Sequence, residues 1–390
     1  MTYFHWVVGI ILALVWLSRV LDAGFGMRKV ADISRPEWDP TGIAHDRPHV
    51  SIVVPARNEA EHIGETLTRL LKLDYPNYEI IAVNDRSTDH TGEVMDEVLA
   101  KLNAGPRLNI IHISDLPAGW LGKVYAMWSG ANQASGEWIL FTDADVLFRP
   151  DALSRAVAYA ESVHADHLVL FPRMVMHSPG ETMMIAFFQS MFVFGHRPWK
   201  VADPKTKDHM GTGAFNMIRR RVYEAVGTYE ALQFEVLDDM KLGKLVKNAG
   251  FAQRNVFGHD LISLRWIKGT LGMVENLTKN FFAIVSFQWV RALASAFLLA
   301  FLNIVPFVGI WLAHGWDRLP YAIAVACILG IYLGMSLKSD VPAYYFLLHP
   351  VSATLFVYIM LRSMLLTLSR GGVVWRGTFY PLDELRRGMV

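Results

Sequence analysis

The chain has 390 residues, 37 Lys and Arg against 36 Asp and Glu, a formal net charge of +1, and 53% hydrophobic residues at a mean hydropathy of +0.26. Near-neutral charge leaves no basic footprint for nucleic acid, and a single cysteine, Cys327, excludes within one chain both a disulfide framework and a cysteine-based zinc site. The hydrophobic excess gathers at residues 3–17 and beyond 281, so membrane segments flanking one sizeable soluble domain are expected.

Residues 3–21 are mostly apolar and contain Arg19 near their end. A cleaved signal peptide is the competing reading, but its usual basic leader is missing from Met1-Thr2-Tyr3-Phe4-His5, and Arg19, Arg28, Lys29 and Arg35 follow the apolar core instead. The positive-inside bias then places residues from 22 onward in the cytoplasm, at the inner membrane. The organisation expected is an anchor over 1–24, a proline-containing linker over 25–47, a catalytic domain over 48–280, interfacial and transmembrane helices over 281–368, and a tail over 369–390.

Strand and helix patterns alternate from residue 50. Val50-Ser51-Ile52-Val53-Val54-Pro55 is a short β-branched strand, 59–73 has helical spacing through Ile63, Leu67, Leu70 and Leu71, and 78–83 is the second strand. Residues 90–102 are helical with Thr88 or Asp89 as N-cap, 108–113 is a strand, 123–134 a helix, 137–142 a strand, 151–163 a helix and 167–171 a strand. This order predicts a mainly parallel α/β sheet with helices on both faces, a Rossmann-like arrangement that binds ligands at the carboxyl ends of its strands.

Polar residues fall at those ends. The first strand runs into Pro55-Ala56-Arg57-Asn58-Glu59, the second into Asn84-Asp85-Arg86-Ser87-Thr88-Asp89, and the fourth into Thr142-Asp143-Ala144-Asp145. Two carboxylates one residue apart beside a core call for a neutralising cation, and hard oxygen ligands suit Mg2+ or Mn2+; a solvated turn is the plainer alternative. Lys123, behind Gly122 at a helix start, suits an anionic phosphate and reads equally as a surface lysine. Gly211 and Gly213 suggest close backbone approach, and Arg219-Arg220-Arg221 a solvated helix start or a membrane-facing cluster. Asp238-Asp239 opens a helix, where acids also serve as cap and dipole partners. His259 and Asp260 read as polar residues at a strand end, with a metal or phosphate contact as the alternative.

Residues 281–313, 320–337 and 343–368 are each apolar and long enough to span. Three crossings would put the tail outside, yet Arg370, Arg376, Arg386 and Arg387 favour the cytoplasm. Both hold if one run fails to cross: 343–368 broken at His349-Pro350, or 281–313 through an interfacial first half, whose Phe281, Phe282, Phe287 and Trp289 suit a membrane interface.

Taken in order, Val53-Val54-Pro55-Ala56-Arg57-Asn58-Glu59, Asn84-Asp85, Gly122-Lys123 with Ala126, Asp143-Ala144-Asp145 and Asp238-Asp239-Met240-Lys241-Leu242 resemble the motifs of a membrane-bound family 2 glycosyltransferase with a GT-A catalytic domain. The resemblance is nearest to ceramide-glucosyltransferase-like enzymes and to those of hopanoid and carotenoid pathways, and covers roughly residues 48–282. It implies a nucleotide-diphosphate sugar donor, a lipid or lipid-linked acceptor and an inverting displacement. It implies donor contacts from Pro55, Ala56, Arg57, Glu59, Asp85, Lys123, Asp143, Arg265 and Trp266, metal binding by Asp143 and Asp145, and a base at Asp239 beside Asp238. Two departures stand out. Isoleucine, Ile262, replaces the glutamine that precedes Arg265-Trp266 in many relatives, which argues against a processive polysaccharide synthase; Asn84 stands where aspartate is common. The remaining alternative is a non-catalytic scaffold that retains the fold.

Overall fold

In the computed structural model, which describes residues 2–39 and 47–388, the chain divides into two compact units. One holds Val30–Val175 and Lys200–Arg265; the other holds the chain as far as Lys29, Met176–Trp199 and Trp266–Arg386. The division differs from a contiguous catalytic domain over 48–280, because a helix at Pro179–Gly195 belongs with the apolar helices. Its start is legible in the sequence: Ser178 accepts from the Glu181 N–H and Pro179 occupies the first turn, a capping arrangement. Residues 30–39 join the α/β unit, where Asp32 bridges Phe257 and the Ile33 N–H donates to the Phe257 carbonyl. Residues 40–46 of the expected linker lie outside the described residues.

The α/β unit carries strands β1 (Val50–Ala56), β2 (Tyr78–Asp85), β3 (Leu108–Ile113), β4 (Trp138–Phe141), β5 (Leu147–Phe148), β6 (His167–Phe171), β7 (Arg173–Met174), β8 (Asn216–Arg219), β9 (Gln253–Phe257) and β10 (Ile262–Leu264). Seven form one sheet in the order β3-β2-β1-β4-β8-β6-β9, and β5-β10-β7 form a small second sheet. β1 pairs in parallel with β2 and β4, with Val50 opposite both Tyr78 and Trp138. Every residue of β1 is buried, which is why it reads as a continuous apolar run rather than an alternating one. The strand order reverses between β1 and β4, so a crevice opens there at the carboxyl ends.

β8 breaks the parallel pattern. It runs antiparallel to both β4 and β6, with Asn216 opposite Phe141. The residues entering β8 therefore lie at the exit of β4. A buried polar clasp joins β6, β8 and β9: His167 Nε2 meets Asn216 Oδ1, and Gln253 Nε2 lies 2.7 Å from His167 Nδ1.

The helical unit contains Thr2–Gly26, Pro179–Gly195, Gly269–Ile284, Trp289–Asn303, Val305–Leu312, Leu319–Ser336 and His349–Arg370, then a hairpin at 372–381. Tyr3–Lys29, Gly315–Ser336 and Ala343–Arg370 are long and apolar enough to cross a membrane. The expected span at 281–313 is broken: Gly269–Ile284 and Trp289–Asn303 meet at 118°, around Ser286 and Phe287 with φ of 56° and 53°. His349-Pro350 does not break the last run, because Pro350 sits in the first helical turn, where its missing N–H costs nothing. Thr2–Gly26 and Leu319–Ser336 run in the same direction, His5 meeting Tyr321 and Val20 lying against Gly330.

Candidate active site

The site is built on the edge where β1, β2 and β4 end. The Thr142 N–H donates to Val53, and the Thr142 hydroxyl to the Ala214 carbonyl at 2.8 Å. The Asp143 N–H donates to Gly213, and the Thr66 hydroxyl to the Ala144 carbonyl at 2.8 Å. The Asp143-Ala144-Asp145 loop is thus pinned from both sides, which satisfies its backbone and fixes where its carboxylates stand.

Gly211 and Gly213 explain themselves here. A Cβ on Gly213 would lie 2.3 Å from Asp143 Oδ2, and one on Gly211 only 1.9 Å from the Asp239 carbonyl oxygen. Only glycine lets the segment entering β8 pass between the β4 loop and the helix Asp238–Asn248. The sequence announced the glycines. Their neighbours follow from the antiparallel β8.

Lys123 Nζ lies 2.7 Å from Asp143 Oδ1. Burial alone would lower the lysine pKa, but Asp143, then Asp238 and Asp239, raise it above its ordinary value. Burial pushes the Asp145 carboxyl up to about 7, with Asp143 and Glu59 adding to the shift. Burial also pushes Asp238 up to about 7, opposed by Lys123 and reinforced by Asp239 and Asp143. Asp239 is raised as well, chiefly by burial, although Lys123 and the N–H groups of Met240 and Gly213 favour its charged form. The Met240 N–H donates to Asp239 Oδ1 at 2.7 Å. Asp238 is buried at 4% exposure, whereas Asp239 is half-buried, so Asp239 is the member of the pair that an incoming group can reach.

Four carboxylates, Asp143, Asp145, Asp238 and Asp239, therefore act on one lysine, an excess of negative charge that a divalent ion would balance. Among the described residues no three acidic, His or Cys side chains close around a point. The set is open, as suits Mg2+ or Mn2+, which take one or two carboxylates plus waters and substrate oxygens. Asp143 and Asp145 fit such an ion.

At the end of β2, Asp85 is 3% exposed and clamped by Arg86 at 2.7 Å and Arg57 at 3.9 Å. A Cβ on Gly122 would touch Arg86 and Asp85, so the helix Gly122–Gln133 begins directly against this cluster. Pro55 and Ala56 are buried in β1, with Arg57 and Glu59 just beyond. Asn58 Oδ1 accepts from the Thr88 N–H and Asp89 Oδ2 from the Ala60 N–H, tying the first two loops together. The N-cap of the helix Thr91–Lys101 is His90, without a side-chain cap, rather than Thr88 or Asp89; Asp89, one residue earlier, accepts from the Thr91 N–H.

β10 pairs antiparallel with β5, Ser263 opposite Leu147, which carries Arg265 toward Asp145. Ile262 is a buried strand residue opposite Phe148. Trp266 belongs to the helical unit, its ring 4.6 Å from Phe188. Asp260 pairs with Arg149 at 2.7 Å, the structural role of a strand-end acid. Sequence reasoning missed Arg86 as a site residue; its place directly after Asp85 was the available signal.

A doubly wound sheet whose switch point carries these acidic loops defines a glycosyltransferase with the GT-A fold. Residues 51–227 match the family described as Glycosyl transferase family 2, and the chain is a glycosyltransferase carrying that domain. It is 23% identical over 384 residues to the 4,4'-diaponeurosporenoate glycosyltransferase of Staphylococcus aureus strain bovine RF122 / ET3-1, covering 95% of this chain and 99% of the relative. The enzyme of that name from strain MRSA252 gives the same identity and coverage. Among solved structures, a mannosyltransferase from Pyrobaculum calidifontis in complex with GDP-Man and Mn2+ superposes with a TM-score of 0.53 at 18% identity, over 93% of this chain and 98% of that one.

Proposed function

We propose that this glycosyltransferase moves a sugar from a nucleotide-diphosphate donor to a hydroxyl of a lipid or lipid-linked acceptor, in one inverting displacement at a membrane surface. The observation that carries the reading is the convergence of Asp85, Lys123, Asp143, Asp145 and Asp239 on one sheet edge. In this reading Arg57 and Arg86, held by Asp85, line the nucleotide end together with Pro55, Ala56 and Glu59. Lys123 and Arg265 face the diphosphate. A divalent ion on Asp143 and Asp145 would offset the negative charge that develops on the leaving diphosphate. Asp239 accepts the acceptor's proton as the glycosidic oxygen bonds to the anomeric carbon, and the bond to the diphosphate breaks with its electrons. Buried Asp238 stands in the first turn of the helix and shares the charge of Lys123. No second carboxylate nucleophile is required, which is why inversion follows.

The lipid acceptor is supported by the three membrane-length apolar helices and by relatives named for 4,4'-diaponeurosporenoate. The proposed organisation is an N-terminal anchor that places the α/β unit in the cytoplasm at the inner membrane, with 281–289 at the interface. The test is mass spectrometry of membrane lipids from cells carrying the wild type or Asp145→Ala, beside Mn2+-dependent nucleotide release by the purified proteins. A glycolipid formed only by the wild type is expected. Lipids identical in the two strains, with nucleotide release unaffected by Asp145→Ala, would remove the reading.

A further inference from the structure

Asp143 is held on both sides. Oδ1 lies 2.7 Å from Lys123 Nζ, and Oδ2 stands over Gly213, where a Cβ would lie 2.3 Å from it. The same lysine faces Asp238 and Asp239 and is the cation that balances all three. A metal ion at Asp143 and the ammonium of Lys123 therefore compete for the charge of one carboxylate. A lysine is suited to give way, because its charge is a compact point on a flexible four-carbon stem. The start of the helix that carries it, with Arg57 and Arg86 alongside, is a place for an anion, and a diphosphate bound there gives the ammonium a second negative partner to which it can turn.

We propose that Lys123 keeps Asp143 from coordinating metal until the donor's diphosphate draws the ammonium away, so that donor and metal bind cooperatively. This rests on the donor and metal reading above. The lysine is a positioning residue whose two partners, Asp143 and diphosphate, define two states. Each ligand favours the state in which the lysine has left Asp143, and by linkage each raises the other's affinity by the same factor. Without the lysine the metal no longer has to displace a resident cation, and the nucleotide loses one reason to help it.

The experiment is a Mn2+ titration followed by electron paramagnetic resonance on the full chain in detergent, with and without UDP or GDP. Wild type, Lys123→Met and the more conservative Lys123→Gln are compared, with Asp143→Asn as the control that should bind Mn2+ poorly throughout. Without nucleotide, the two lysine variants are expected to bind Mn2+ on the order of tenfold more tightly than wild type. Nucleotide should tighten Mn2+ binding to wild type by a larger factor than to the variants, which keep only the direct attraction between metal and diphosphate. If Lys123→Met does not fold, Lys123→Gln decides the matter. Lysine variants that bind Mn2+ no more tightly than wild type, in a protein that does bind both ligands, would overturn the coupling alone. A wild type that binds neither Mn2+ nor a nucleoside diphosphate would overturn the donor reading, and the coupling with it.

Discussion

Asp239→Asn should separate activity from stability. Removing a general base costs about 10²–10⁴-fold in turnover, or roughly 3–5 kcal/mol of barrier. The amide keeps the shape of the carboxylate, and its oxygen can still accept from the Met240 N–H, now 2.7 Å from Asp239 Oδ1. Donor affinity should therefore change little. Stability should move the other way. Burial, joined by the charge of Asp143, raises the Asp239 pKa, so the charged form disfavours the folded state. Each unit by which folding raises a carboxyl pKa corresponds to about 1.4 kcal/mol withdrawn at a pH where the group is ionised. The native state then holds a proton more readily than the unfolded chain. Metal-free wild type should lose stability as pH rises from the ordinary carboxylate range through the raised folded values, about 7 for the neighbouring Asp238. Asp239→Asn should melt at the same temperature as wild type or higher near pH 7.5 without metal, and its stability should depend less on pH. Single-turnover assays at saturating donor and thermal melts in detergent between pH 5 and 8 supply the two readings. Turnover within tenfold of wild type would refute the base assignment. Parallel loss of turnover and stability would refute the charge argument. An inactive Asp238→Asn beside an active Asp239→Asn would move the base by one residue.

Three further outcomes are expected. Gly213→Ala places a methyl group 2.3 Å from Asp143 Oδ2 and should lower kcat/KM about 100-fold or more while the protein stays folded; steady-state kinetics with a Mn2+ titration checks it, and near-normal activity would show that Asp143 can move freely. His167 is fully buried between Asn216 and Gln253 with its pKa lowered to about 4, chiefly by burial, so it stays neutral while the unfolded chain takes up a proton. Stability should therefore fall by about 3 kcal/mol as pH drops from about 6.5 toward 4, and His167→Gln should flatten that part of a urea-denaturation profile. For topology, His349 lies beside Asn303 and Trp16, while Thr278 meets Arg362 and Phe281 meets Phe356, so the last long helix starts midway along Thr2–Gly26 and runs back along Gly269–Ile284. With the α/β unit cytoplasmic, a cysteine at Ser369 in a Cys327→Ser background should resist an impermeant thiol reagent added to intact cells; ready labelling would place the tail outside.

What the sequence alone determined was local. Short, largely apolar runs such as Val50–Pro55 and Trp138–Phe141 read as buried strands, and the polar residues that follow each of them fall at carboxyl ends once a parallel sheet is inferred. The order of the acidic motifs, with Lys123 and the paired glycines, made the chemistry legible before any contact was known, because charge and backbone freedom are properties of residue type. Tertiary structure decided the rest. The strand Asn216–Arg219 is short and carries no periodic signal, yet its antiparallel insertion beside β4 is what brings Gly213 and Asp239 to Asp143. Nothing local distinguishes buried Asp238 from reachable Asp239; the helix start that orients them is fixed by packing at Gly211 and by Lys123. The apolar run at 281–313 is long enough to cross a bilayer, and only the 118° turn at Val285–Gln288 shows that it does not run straight. Hydropathy records how apolar a segment is, whereas its direction depends on the helices it packs against, and those lie far away in the chain.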